Sequence, residues 1–156
     1  MRLTDIQKKY FAWDLSHRKS TGDDSRFTGV LSEARVDLNP HQVEAALFAF
    51  KSPLSKGAIL ADEVGLGKTI EAGIILSQFW AEHKRRILII VPASLRSQWN
   101  IELMDKFYLP SCIINGPIYD ELISQNKKPF IQDSIIICSY HFAASHAEEI
   151  RLAGWD

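Results

Sequence analysis

Residues 57–73 read "GAILADEVGLGKTIEAG". A short apolar run enters a turn holding two glycines, and an amphipathic stretch leaves it. A strand that bends directly into a helix in this way commits the chain to strand–helix packing. It also leaves free backbone N–H groups at a positive helix end, where an anion is favoured. Gly65 and Gly67 can turn their N–H groups inward with no side chain in the way. Lys68 adds a mobile positive charge for the β- and γ-phosphates of a nucleotide, and the Thr69 hydroxyl suits Mg²⁺. The strict pattern G-x-x-x-x-G-K-[ST] asks for glycine at position 62, and this chain has Asp62. The carboxylates of Asp62 and Glu63 would repel phosphate. They are expected to point away, either held by loop amides or a basic residue, or simply solvated. Val64 and Leu66 complete the turn. A glycine-rich bend that binds nothing is the bland alternative, and the strand before and helix after it argue against that.

The same alternation continues along the chain. "LNPHQVEAALFAFK" opens a helix with Asn39 as N-cap, Pro40 in the first turn and Gln42 in a near capping-box position. Ala46, Leu47 and Phe50 form its apolar stripe. Strands are expected at 57–61, 87–91, 112–114 and 134–139, the second an unbroken apolar run as in a strand buried on both faces. Helices are expected over 68–83, over "SLRSQWNIELMDKF" with Ser94 as N-cap, over "PIYDELISQ" and over "HAEEIRLAG". The pattern predicts an α/β domain, a parallel sheet flanked by helices. Residues 1–35 read as a short helical lead-in followed by the polar linker "SHRKSTGDDS", and 36–156 as the main domain.

Length and composition narrow the function classes. The chain has 156 residues, 46% apolar and 24% charged, and a formal net charge of -1. That suits one globular domain and gives no overall attraction to nucleic acid, so a DNA contact must come from a local patch. Cys112 and Cys138 lack metal-ligand spacing and read as buried thiols in a reducing compartment. No run is long enough to span a membrane, and a cytoplasmic location is the default.

The string "ILADEVGLGKTIEAG" resembles motif I of the Swi/Snf-type ATPases of helicase superfamily two, bacterial members included, whose loop carries Asp-Glu-x-Gly-Leu-Gly-Lys-Thr; Asp62 then follows that family's habit. "LNPHQ" resembles the upstream Q-motif, "LIIVPASLRSQWNIEL" motif Ia, and "IIICSYHF" motif Ib. The resemblance covers nearly the whole chain. It implies the first of two RecA-like lobes, with ATP and Mg²⁺ bound between lobes and hydrolysis driving movement along double-stranded DNA. It implies that Gln42 reads adenine, that residues 62–69 hold the phosphates, and that Lys68 is the catalytic charge. It also implies that Pro92, Ser94, Arg96, Ser139 and Tyr140 lie where the DNA backbone passes.

The family's Asp-Glu-Ala-His tetrapeptide does not occur in this sequence. In the family a phrase like "GWD" comes just before it, and here Gly154-Trp155-Asp156 is the last tripeptide. The expectation is a fragment, incomplete at the C-terminal end of the sheet, that binds ATP weakly and does not hydrolyse it alone. The second lobe would be needed in cis, and an unpaired sheet edge would favour self-association. A self-contained, non-hydrolysing ATP-binding regulatory module is the competing reading. Elsewhere, Trp80 and Trp99 read as core. Trp155 is either a sheet cover or an exposed terminus, and "HKRR" at 83–86 a solvated face or a phosphate contact. Arg96 is open between phosphate contact and surface charge, and Lys127-Lys128 reads as polar loop. His141 and His146 read as surface or capping residues.

Overall fold

The computed structural model describes residues 39–51, 57–61 and 67–156. The expected lead-in helix, the linker, and loop residues 62–66 lie outside the described residues. Six α-helices and three strands are described: α1 (Pro40–Lys51), α2 (Lys68–Ala81), β1 (Leu88–Val91), α3 (Arg96–Phe107), β2 (Ser111–Ile113), α4 (Gly116–Ser124), β3 (Ile135–Ser139), α5 (Tyr140–Ser145) and α6 (Ala147–Leu152). The strands form a parallel sheet in the order β1-β3-β2.

The apolar runs explain why β3 is central. Ile135, Ile136, Ile137 and Cys138 are all within 1% of complete burial, as expected of a strand covered on both faces. Ile135 and Ile137 pack with Ile89, Ile113 and Val91 beneath α1, α2 and α3. Ile136 points the other way and packs with Leu88, Cys112 and Ile114, together with Tyr119 and Leu122 of α4, Phe142 of α5 and Ile150 of α6. Each buried isoleucine contributes roughly 1.5–3 kcal/mol. Trp80 and Trp99 lie half-buried against the first of these layers.

Several expectations need correction. Residues 57–61 form no strand, and Ile59 is 87% exposed. A strand exists only by pairing, and among the described residues this segment has no neighbour in the sheet. A right-handed connection through α2 would bring it to the free side of β1. Helix α2 ends at Ala81, because His83 adopts a left-handed φ of 63° and redirects the chain. Ser94 does not cap α3; it sits inside a 3₁₀ turn, Ala93–Leu95, and the capping position falls to Leu95 with no side-chain bond. Ser139 ends β3 and Tyr140 directly begins α5, a helix the sequence pattern did not disclose. His146 lies at the joint between α5 and α6, its ring stacked on Phe142 at 4.2 Å.

The basic run 83–86, expected as a solvated face or a phosphate contact, is drawn into contacts within the chain. The Arg85 guanidinium lies 4.0 Å from the Trp80 ring centre and donates to the Trp80 carbonyl. The backbone N–H groups of Arg85 and Arg86 donate to the Asp156 carboxylate at 2.7 and 2.8 Å. Asp156 N–H in turn donates to the Arg86 carbonyl, and Arg86 Nη1 to the Ala153 carbonyl. Trp155 is therefore half-buried over the second layer, with Nε1–H donating to the Ile150 carbonyl.

Candidate nucleotide site and its family

Helix α2 leads into β1 at the amino end of the sheet, so it runs back against the strands and presents its own N-terminus toward their carboxyl ends. That is the end where open α/β sheets bind ligands. Gly67 precedes the helix at φ 95°, ψ 36°, a left-handed conformation that glycine takes without strain. Its carbonyl accepts the N–H groups of Ile70 and Glu71 at 2.7 and 3.1 Å, closing the first turn. Gly67, at the capping position, has no side chain to offer. Lys68 and Thr69 are half-buried at the helix start, and the Thr69 hydroxyl makes no hydrogen bond among the described residues. Glu71 is completely buried one turn into the helix.

Helix α1 brings Gln42 to the same place. Gln42 is 4% exposed, and its Oε1 accepts the Asn39 N–H at 3.1 Å, one arm of the expected capping box. A Cβ built on Gly67 would fall on the Gln42 side-chain amide. Gln42, Gly67, Lys68 and Thr69 are thus brought together, although the first is separated from the others by 25 positions or more. Asp62, Glu63, Val64, Gly65 and Leu66 lie outside the described residues. The described part fits a nucleotide's phosphate tail: a helix N-terminus, a left-handed glycine that admits close approach, an amine and a hydroxyl.

A second group gathers at the carboxyl ends of β1 and β3. Val91 pairs with Ser139, so Pro92 and Tyr140 leave the sheet side by side. Pro92 and Ser94 are exposed and Tyr140 is 59% exposed. Arg96 is half-buried and its Nε–H donates to the Ala93 carbonyl at 3.1 Å. Burial pushes the Cys138 thiol above its ordinary range, and the Arg96 charge works against that shift. Ser139 is only 8% exposed, and its Oγ accepts the Phe142 N–H at the start of α5. It shapes the turn more than it offers a surface.

A family model described as the SNF2-related domain matches residues 7–156. The chain belongs to the SNF2-related family. Among similar SNF2-family relatives, the RNA polymerase-associated protein RapA of Haemophilus influenzae is 38% identical over 123 residues, covering 78% of this chain and 13% of that protein. RapA of Yersinia pestis is 37% identical over 126 residues, with the same coverage of 78% and 13%. The chain therefore spans about 13% of the length of the curated relatives it matches. The SWI2/SNF2 ATPase core of Sulfolobus solfataricus, solved in complex with double-stranded DNA, has a similar structure. The TM-score is 0.55 at 26% identity, over 70% of this chain and 22% of that one. The three-stranded parallel sheet with helices on both faces is accordingly the RecA-like fold of that core. Among the described residues no helix is long and apolar enough to cross a membrane.

Proposed function

We propose that this chain forms the nucleotide-binding part of the first RecA-like lobe of an ATP-dependent, double-stranded-DNA translocase. The observation that carries this reading is the Gln42 amide lying against the left-handed Gly67 at the start of α2, in a chain of the SNF2-related family. Gln42 reads the adenine edge. Residues 62–69 surround the phosphates, with Lys68 as the catalytic charge and Thr69 as the Mg²⁺ ligand. When bound, the metal neutralises charge on the phosphates. The exposed ends of β1 and β3, with Pro92, Ser94, Arg96 and Tyr140, face the DNA backbone, and Ser139 holds their turn. The free thiols of Cys112 and Cys138 suit a reducing compartment, the cytoplasm.

Hydrolysis needs more than this chain's residues supply. A carboxylate beside the metal, a positioned water and an arginine on the transferring phosphate are all required, and the arginine alone is worth ~10³–10⁵ in rate. The Asp-Glu-Ala-His tetrapeptide and a second lobe are not in this sequence. The expected outcome is measurable but weak binding of ATP with Mg²⁺, weakened further by Lys68→Ala, and phosphate release at background. Turnover above background that disappears in Lys68→Ala would refute the division of labour. No binding by the unaltered chain would refute the nucleotide reading itself.

Among the described residues no strand pairs with the outer edge of β1, which suggests a second partner. Ile87 gives its carbonyl to the Ile136 N–H of β3, so Leu88 and Ile90 turn their peptide groups to the opposite side. Ile90 is 38% exposed, and "LIIV" carries no charge or proline to blunt the edge. The chain on its own is expected to pair there with a second copy.

A further inference from the structure

We infer that Gly73 and Phe107 form a mount that sets the position of the phosphate-binding turn, which makes Gly73 a positioning residue for nucleotide; this rests on the nucleotide reading above. Glycine inside a helix is about 0.5–1 kcal/mol less favourable than alanine, so its presence in the second turn of α2 calls for a local reason. The reason is the ring of Phe107. A Cβ on Gly73 would lie 2.8 Å from Phe107 Cδ2, and nearer still to the outer edge of the ring. The ring cannot readily retreat. Phe107 is 8% exposed in the core layer, it ends α3, and Tyr108 turns the chain immediately afterwards at φ 52°.

Gly67 has no side chain with which to cap the start of α2. Besides the core packing of Ile70 and Ile74, two close backbone contacts seat the helix, Gly67 against the Gln42 amide of α1 and Gly73 against Phe107 of α3. Both contacts exist because glycine has no Cβ. Lys68 and Thr69 lie between them. Gly73 is five positions beyond Lys68, about 7.5 Å along the helix axis at 1.5 Å per residue. A methyl group at position 73 must lift α2 from the ring. A stiff helix pivoting on the Gln42–Gly67 contact would carry Lys68 and Thr69 with it.

The test compares the unaltered chain with Gly73→Ala, Phe107→Leu and the double variant. The readouts are affinity for a fluorescent N-methylanthraniloyl ATP analogue with Mg²⁺, thermal midpoint, and amide hydrogen exchange at residues 67–71. Gly73→Ala is expected to weaken binding by about tenfold, within the ~100-fold that a misplacement of about 1 Å can cost a reacting group, and to speed exchange at 67–71. The double variant should recover both, although the lost ring leaves it less stable than the unaltered chain. That recovery is what a purely structural role would not give. If Gly73→Ala lowers only the midpoint, or if the double variant shows the sum of the single effects, the mount is refuted. Phe107→Trp crowds the same contact from the α3 side and takes over the test if Gly73→Ala does not fold. Should the unaltered chain not bind the analogue, the nucleotide reading falls, while exchange at 67–71 still decides the mount.

Discussion

Replacing Gly67 with alanine probes the junction between α1 and α2 most directly. Gly67 stands at φ 95°, where a residue with a Cβ is disfavoured by roughly 1–2 kcal/mol. The new methyl would also overlap the Gln42 side-chain amide. Gln42 is 4% exposed and can yield only by swinging out, which breaks its 3.1 Å bond from the Asn39 N–H. A bond of that kind contributes about 0.5–1.5 kcal/mol net. Together the two effects predict a loss of about 1.5–3.5 kcal/mol for Gly67→Ala. At about 2–4 °C per kcal/mol for a chain of this size, the thermal midpoint should fall by about 3–14 °C in a circular-dichroism melt. Urea titration gives the free energy directly. Because both residues share one contact, Gln42→Ala should cost less in the Gly67→Ala background than alone, by about 1 kcal/mol. A loss under about 1 kcal/mol, or full additivity of the two changes, would show that the Gln42–Gly67 contact does not hold this junction.

Three further outcomes are expected. Sedimentation velocity should show concentration-dependent association of the unaltered chain that Ile90→Lys abolishes; a monomer at every concentration, or association indifferent to that change, removes β1 as the interface. The backbone N–H groups of Arg86 and Arg85 hold the Asp156 carboxyl below its ordinary value of 3.8. Its stabilising effect is therefore present above about pH 3.8, is lost as pH falls through the lower folded value, and should be missing from the acid limb of a pH–stability curve for Asp156→Asn. The hydrogen bond from Tyr119 to the Glu149 carboxylate, at 2.8 Å, raises the phenol above 10.0. The neutral phenol thus favours the folded state below pH 10 and ceases to do so as pH rises through the elevated value. Absorbance titration at alkaline pH should show one late tyrosine that returns to the ordinary range in Glu149→Gln.

Much of the site was legible because its signals are local. Gln42 follows Asn39 by three positions, and the capping bond between them forms as that spacing implies. Gly65 and Gly67 are expected to turn the backbone where a side chain would obstruct; Gly67 does so at φ 95°, and Gly65 lies outside the described residues. The unbroken run at 87–91 reads as a strand buried on both faces, but it forms β1, an edge of the described sheet with Ile90 38% exposed, and the strand covered on both faces is β3. Residues 57–61 carried an equally good local strand signal and form none, because β structure depends on a neighbour that a pattern of residue types does not name. The run "HKRR" was ambiguous for the same reason. Its surroundings, the Trp80 ring and the Asp156 carboxylate 70 positions away from Arg86, are contacts of the folded chain alone.

The sequence by itself determined what depends on neighbours within a few positions: the starts of α1 and α2, the glycine turn beside Lys68 and the apolar periods that predict an α/β fold. Only the tertiary structure decided the order β1-β3-β2, the meeting of Gln42 with Gly67 and the seating of Gly73 against Phe107. Backbone preference and hydrophobic period act through local sterics and can be read along the chain. Contacts between distant segments are selected by how whole helices and strands close-pack, a property of the assembled fold.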